Sequence, residues 1–217
     1  ARTGLPIVVE GLYRWIGFLP SRTDPKMPAP NQFVGLLDSG DLKIRGLEVR
    51  RSDTPRLVKR AQTEILDCLS RAHTLDALRA SVPSVLEIVR AYRRMLREGR
   101  IETEDLVIAT SLSQDPRLYR RPTRTAVAAQ QLIGRGASLR PGDTIHYIMT
   151  DTDAACPDDR VRAAALTDGA AGYDASAYEA LVLKAALALL VPFGWDLARL
   201  DAITNPDDQS ATVSEGG

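Results

Sequence analysis

The sequence predicts an α+β chain: antiparallel strands come first, a mainly helical module follows, and the change falls near residue 54. Three observations carry this. Residues 7–50 are rich in β-branched and aromatic residues and are broken by Pro- and Gly-containing loops. From Pro55 onward the apolar residues recur at helical spacing. The chain, 217 residues with 44% hydrophobic content, is long enough to bury a proper core.

Ile7 to Leu19 reads as a pair of extended strands turning near Glu10-Gly11, and Pro20 to Pro30, with four prolines, reads as a loop. Gln32–Leu37 and Asp41–Arg50 flank Asp38-Ser39-Gly40, the signature of a β-hairpin. Pro55 opens a helix after Asp53 or Thr54 as cap, with Val58, Ala61, Ile65 and Leu69 on its apolar face. A second helix runs from Pro83 or Ser84 to Arg97. Its stripe is Val85, Ile88, Tyr92 and Met95, Gly99 closes it, and its other face carries Arg90, Arg93, Arg94 and Arg97. Taken alone, those arginines fit a solvated face as well as a phosphate-binding one. Leu106–Leu112 reads as a strand, Thr125–Ile133 as a helix ending at Gly134 or Gly136, and Pro141-Gly142-Asp143 as a turn into a strand, Thr144–Met149. Thr152–Gly172 is polar and alanine-rich and gives no clear element. The last helix begins after Asp174 or Ser176 and runs through the apolar 180–191 stretch; 205–217 reads as a disordered acidic tail.

The formal net charge is zero, yet it is unevenly placed: Lys43 to Arg124 holds 18 basic and 11 acidic residues, Asp151 to Gly217 holds 4 basic and 12 acidic. A basic middle with an acidic end suits a polyanionic partner. Cys68 and Cys156 are too few for a disulfide scaffold and point to a reducing compartment. The longest apolar stretch, Ala180–Phe193, carries Lys184, is broken by Pro192, and falls short of the roughly 20 residues of a membrane span. A cytoplasmic protein with no membrane partner is expected.

His73 and His146 have no partner at metal or triad spacing, and Gly134-Arg135-Gly136 is a helix end rather than a phosphate cradle. Asp151-Thr152-Asp153 after a strand resembles the paired carboxylates that hold Mg²⁺ in two-metal chemistry, or else a plain Asp-rich turn. The turn is favoured, because no third carboxylate stands in a comparable strand context. What remains is a basic set: Lys43, Arg45, Arg50, Arg51, Arg56, Lys59 and Arg60, then Arg117, Arg120, Arg121 and Arg124 around Tyr119. The planar guanidinium fork suits phosphate, and interleaved hydroxyls suit contacts to a nucleic-acid backbone.

At these residues the sequence resembles a known family. Asn31-Gln32-Phe33-Val34-Gly35 and Lys43-Ile44-Arg45-Gly46-Leu47-Glu48-Val49-Arg50-Arg51-Ser52-Asp53 are similar to the segment closing the palm of family B DNA polymerases. Glu10 to Ser21 resembles bacterial-type members in particular. The resemblance continues into the thumb through Asp115–Thr123, Gly134-Arg135-Gly136, Arg140–Ile145, Tyr173-Asp174 and Pro192-Phe193-Gly194-Trp195. It implies a C-terminal palm part (1–54), a thumb (55–204) and the acidic tail (205–217). It further implies a role in holding primer–template DNA by its sugar-phosphate backbone through Asn31, Gln32, Phe33, Lys43, Arg45, Arg50, Arg51, Tyr119, Arg120, Arg121, Thr123 and Arg124. The family's metal-binding carboxylates lie N-terminal to such a piece. The resemblance therefore implies no catalytic or metal residue and no cofactor here, Mg²⁺ held by the absent part, that part as a partner, and no activity alone. Asp151-Thr152-Asp153 falls in a thumb loop in this register. The chain departs from the family where Pro30-Asn31-Gln32-Phe33 stands for Lys-Lys-x-Tyr, and where Arg124-Thr125 stands for Pro-His.

Three functions compete. The first is a fragment or split subunit of a family B polymerase. The second is a degenerate thumb remnant acting as a protein-interaction module, and the third a stand-alone nuclease using Asp151 and Asp153. Glu48 or Asp53 could also pair with Arg45, Arg50 or Arg51 and fasten the two parts together.

Overall fold

Residues 11–20, 27–167 and 172–207 are described by a computed structural model. The first strand expected after Ile7, most of the proline-rich loop and the greater part of the acidic tail lie outside them. Strands β1 (Tyr13–Pro20), β2 (Pro28–Leu37) and β3 (Leu42–Arg45) form an antiparallel sheet in the order β1-β2-β3. The hairpin turn is the expected one: Leu37 N–H donates to Asp41 O at 2.9 Å, Ser39 Oγ reaches the Asp41 carboxylate at 2.8 Å, and Gly40 supplies a φ of +91°. Two differences from expectation have local causes. Pro28 and Pro30 lie within β2, near its start, where proline is tolerated. β3 ends at Arg45 rather than Arg50, because Gly46 takes φ +74° and a 3-10 turn, Glu48–Arg50, follows.

Helix α1 (Arg56–Ser70) follows the predicted stripe, although Pro55 itself occupies the cap position. Then come α2 (Leu75–Ala80), which sequence periodicity does not reveal, and α3 (Val82–Arg97). A single turn, α4 (Thr103–Leu106), takes the start of the expected strand, leaving β4 as Ile108–Ser111. Helix α5 (Arg124–Ile133) and strand β5 (Thr144–Met149) match the elements expected there. The indistinct 152–172 region contributes β6 (Val161–Ala163), so β4-β5-β6 make a second antiparallel sheet. Gln131 of α5 finishes its outer edge, donating to Val161 O and accepting from Ala163 N–H, both at 2.9 Å.

Helix α6 (Ala175–Leu190), capped by the Asp174 carboxylate on Ala177 N–H at 2.9 Å, lies at the centre. With the turn after it, the segment to Phe193 is long and apolar enough to cross a membrane by length and composition. Here it is a core helix, burying Tyr178, Val182, Ala185, Ala186, Leu189 and Leu190 against α1, α3 and α7 (Leu197–Thr204). One cluster of buried apolar residues runs from Leu19, Val34 and Leu47 of the first sheet through the helices to Ile148 and Val161 of the second.

Two polar assemblies fasten these layers. Gln62, fully buried in α1, accepts from Val49 N–H at 2.7 Å and donates to Ala185 O at 2.9 Å and to Glu48 Oε2 at 3.1 Å. Of the four α3 arginines, Arg94 fits the solvated face, exposed and without a partner among the described residues, while the other three are engaged within the protein. Arg93 is buried and holds Glu179 at 2.9 Å and Asp201 at 2.7 Å; Arg97 holds Glu179 at 2.6 Å and also meets Asp207; Arg90 donates to Ile203 O at 2.7 Å. Together they clasp α7 to α3.

Gln62→Leu takes from the half-buried Val49 N–H its acceptor and removes the amide's bonds to Ala185 O and Glu48, so chemical denaturation is expected to show a loss of about 1–3 kcal/mol. Glu179→Ala strips a buried guanidinium of its counter-charge and is expected to cost about 3–5 kcal/mol. A loss under about 1 kcal/mol in either variant contradicts these assignments.

Candidate nucleic-acid interface

The hairpin residues gather on one face of the first sheet. Across β2 and β3, Phe33 faces Arg45 and Gly35 faces Lys43; β1 sets Phe18 against Phe33 and Ile16 against Gly35. Strand alternation places this set opposite the buried Val34 and Leu36. The Phe18 and Phe33 rings lie 6.0 Å apart at 54°, and the Tyr13 ring covers Gly35 so closely that a Cβ there would stand 2.6 Å from it. The result is an aromatic and basic surface, with Phe18 51% exposed. Asn31 and Gln32 flank it, and their backbone approach explains Gly46: a Cβ would lie 2.5 Å from Gln32 Cγ and 2.9 Å from Asn31 O.

Arg45 and Arg50 are exposed, with no side-chain hydrogen bond or ion pair to another described residue. Arg51 differs. Its fork closes on Asp53, Nε to Oδ1 at 2.9 Å and Nη2 to Oδ2 at 2.7 Å, and this hydrogen bonding holds the Asp53 carboxyl below its ordinary pKa. This pair is local, two residues apart, and joins no two parts of the chain; Glu48 does so instead, through Gln62 of α1.

The second set lies between β4 and α5. Tyr119 is anchored rather than free: its hydroxyl accepts from Ser113 N–H at 3.1 Å and sits 3.2 Å from Ser113 Oγ. Thr123 caps α5, accepting from Ala126 N–H at 3.3 Å, and Gln130 Nε2 pins the loop through Pro116 O at 3.0 Å. Arg120, Arg121 and Arg124 project from this frame into solvent, and neither Arg120 nor Arg121 has a hydrogen bond or ion pair among the described residues. Beside them opens a cleft of about 330 Å³. Arg56 and Arg60, by contrast, are taken up by Asp105, at 3.4 and 2.6 Å. Sequence reasoning does not single out Gln62 and Gln130; the only signal is a glutamine standing within an apolar helical repeat.

Asp151-Thr152-Asp153 is a turn. Asp151 Oδ1 accepts from Asp153 N–H at 3.3 Å, and Thr152 donates its N–H and hydroxyl to Asp174 at 2.9 and 2.6 Å. Among the described residues no group of three or more His, Cys, Asp or Glu is placed to hold a metal ion. Cys68 and Cys156 are free thiols, and His73 Nδ1 lies 3.1 Å from Arg14 Nη1.

Comparison with known proteins gives a consistent picture. The model of DNA polymerase family B matches residues 31–188. A DNA polymerase of Thermococcus sp. strain 9oN-7 is 28% identical over 159 residues, which are 73% of this chain and 20% of that protein. One of Desulfurococcus sp. strain Tok is 26% identical over 192 residues, 88% of this chain and 23% of its own. The solved family B DNA polymerase of the archaeon Pyrobaculum calidifontis superposes with a TM-score of 0.64 at 22% identity, over 86% of this chain and 22% of that one. The chain thus spans under a quarter of the length of these relatives, all three archaeal.

Burial would raise the Asp174 carboxyl, but hydrogen bonds from Thr152 and from the Ala177 and Thr152 N–H groups, with the Arg124 charge, hold it below its ordinary value. A depressed folded-state pKa adds stability above the unfolded value, about 4, and that part is lost as pH falls through the folded one. The thermal midpoint is expected to fall between about pH 5 and 2, and less steeply in Asp174→Asn. An identical slope in the variant would remove Asp174 from this role.

Proposed function

The chain belongs to DNA polymerase family B, and on that footing we propose that it is the DNA-holding part of such a polymerase: the end of the palm (1–54) followed by the thumb (55–204). It grips primer–template duplex by the sugar-phosphate backbone. The observation that carries this is the sorting of the arginines. Arg51, Arg60 and Arg93 are among those taken up by carboxylates, whereas Arg45, Arg50, Arg120 and Arg121, like Arg94 and Arg117, stand exposed without a partner among the described residues, the first two at the end of the hairpin and in the turn after it, the next two on a pinned loop. Such groups position a duplex without reading its sequence. The aromatic sheet face of Phe18 and Phe33 supports a second contact, against the groove near the primer end or against the remainder of the polymerase.

In this reading nucleotide transfer and its Mg²⁺ belong to residues outside the chain. The chain therefore works beside a part carrying the catalytic carboxylates, and it acts where DNA does, in the cytoplasm. The bacterial-type likeness rests on Glu10–Ser21, and the archaeal relatives do not extend it. A thumb remnant acting only as a protein-interaction module has one observation in its favour, the exposed Leu12 just before β1 and Ile16 and Phe18 within it.

Binding of a labelled duplex, followed at several salt concentrations, separates these readings. Arg120→Ala with Arg121→Ala is expected to weaken binding equally for all sequences. It should flatten the dependence of log K on log salt by about 0.9 for each phosphate that is no longer neutralised. Unchanged affinity and slope would refute the phosphate role, and no duplex binding even at low salt would leave the interaction module in front.

A further inference from the structure

The cleft beside Arg120 and Arg121 has features that backbone gripping does not use. Its volume, about 330 Å³, lies at the small end of ligand sites and suits one nucleotide rather than a duplex. The exposed Arg120, Arg121 and Asp158 stand at its rim, and apolar walls come from Pro116, Pro122 and Val127 with the Tyr119 ring. The cleft is also formed in advance. Ser113 fixes Tyr119, Gln130 holds Pro116 O, and Gln131 donates to the backbone oxygens of Asp158 at 3.1 Å and Val161 at 2.9 Å. The Asp158 side chain is exposed and has no hydrogen bond or ion pair among the described residues.

Resting on the duplex-holding reading, we propose that this cleft receives a single unpaired nucleotide of the bound DNA, its phosphate on Arg120 and Arg121 and its base against Tyr119, with Asp158 favouring guanine. The chemistry of the rim sets that preference. A carboxylate only accepts. Guanine alone presents two donors side by side on its pairing edge, N1–H and the N2 amino group, which a carboxylate takes as a pair. Adenine and cytosine place a ring acceptor there, facing the charge, and thymine offers one N–H between two carbonyls. Within a duplex that edge is already paired, so the occupant is an extrahelical or overhanging nucleotide.

The test uses the whole 217-residue chain and a short labelled duplex, either blunt or ending in one unpaired dG, dA, dC or dT, read by fluorescence anisotropy. The dG terminus is expected to bind about five-fold tighter than dA, the low end for a doubly hydrogen-bonded base at an exposed rim. Asp158→Asn abolishes that difference and leaves blunt-duplex affinity unchanged or slightly raised, one negative charge being gone. Independently, dGMP is expected to shift the Val127 methyl resonances and leave those of buried Val85 in place. Blunt-duplex binding with no effect of the terminal base and no Val127 shift would overturn this site while sparing the duplex-holding function. Val127 shifts without blunt-duplex binding would sustain the site and overturn that function.

Discussion

The side-chain amide of Gln62 closes the gap between the hairpin and the helices. Val49 N–H comes from the 3-10 turn after β3, Ala185 O from the middle of α6, and Gln62 itself from α1. Buried donors and acceptors need partners, and only a group with both kinds of atom can serve a turn and a helix at once. The Glu48 carboxylate completes the set, tying the acidic residue of the Arg-Gly-Leu-Glu run to the core rather than to the neighbouring arginines. Arg45 and Arg50, on either side of this anchor, inherit their placement from it. The hairpin and the helical module share one apolar core, and this amide keys their mutual orientation, which apolar contact alone would specify loosely.

Charge in the chain is best understood pair by pair. The excess of basic residues between Lys43 and Arg124 suggests a broad cationic surface, yet much of it is spent internally. Arg51 closes on Asp53, Arg56 and Arg60 share Asp105, and Arg93 and Arg97 share Glu179. Acidic residues of the C-terminal third neutralise arginines of the middle third, so the two opposite segments of the sequence are partly one electrostatic unit. A buried pair such as Arg93–Glu179 adds little net stability but makes any misplacement of α7 costly. The surface available to a polyanion is what this internal pairing leaves over.

That pairing also marks where the sequence is readable. The long helices α1, α3 and α6 and the hairpin are legible because burial imposes a regular period on many residues at once. Helix α2 is not, because only Leu78 of its six residues is buried, and α7 is not, because Leu200 and Thr204 alone are buried and arginine side chains do the rest. Strand β6 is three residues long and its outer edge is completed by Gln131, a pairing with no sequence period. In the site, residue types and the hairpin face are foreseeable. The difference between Arg50, unpaired among the described residues, and Arg51, locked to Asp53, depends on side-chain direction and emerges only in three dimensions.

Rigidity of the 113–124 loop decides how much its arginines can contribute. Each arginine held on a phosphate loses up to about 2 kcal/mol of rotamer freedom, against about 1.5–3 kcal/mol for a hydrogen bond to a charged group. The margin for one side chain is therefore small, and would vanish if the backbone also had to be ordered. Tyr119 on Ser113, Gln130 on Pro116 and Thr123 on the start of α5 remove that second cost beforehand. Small margins at several fixed points add up only when the points keep their spacing along the partner. For the duplex-holding role proposed above, the arginines keyed by Gln62 and the loop arginines keyed by three local hydrogen bonds are the fixed points on offer. A flexible polymer carrying the same charges would offer none.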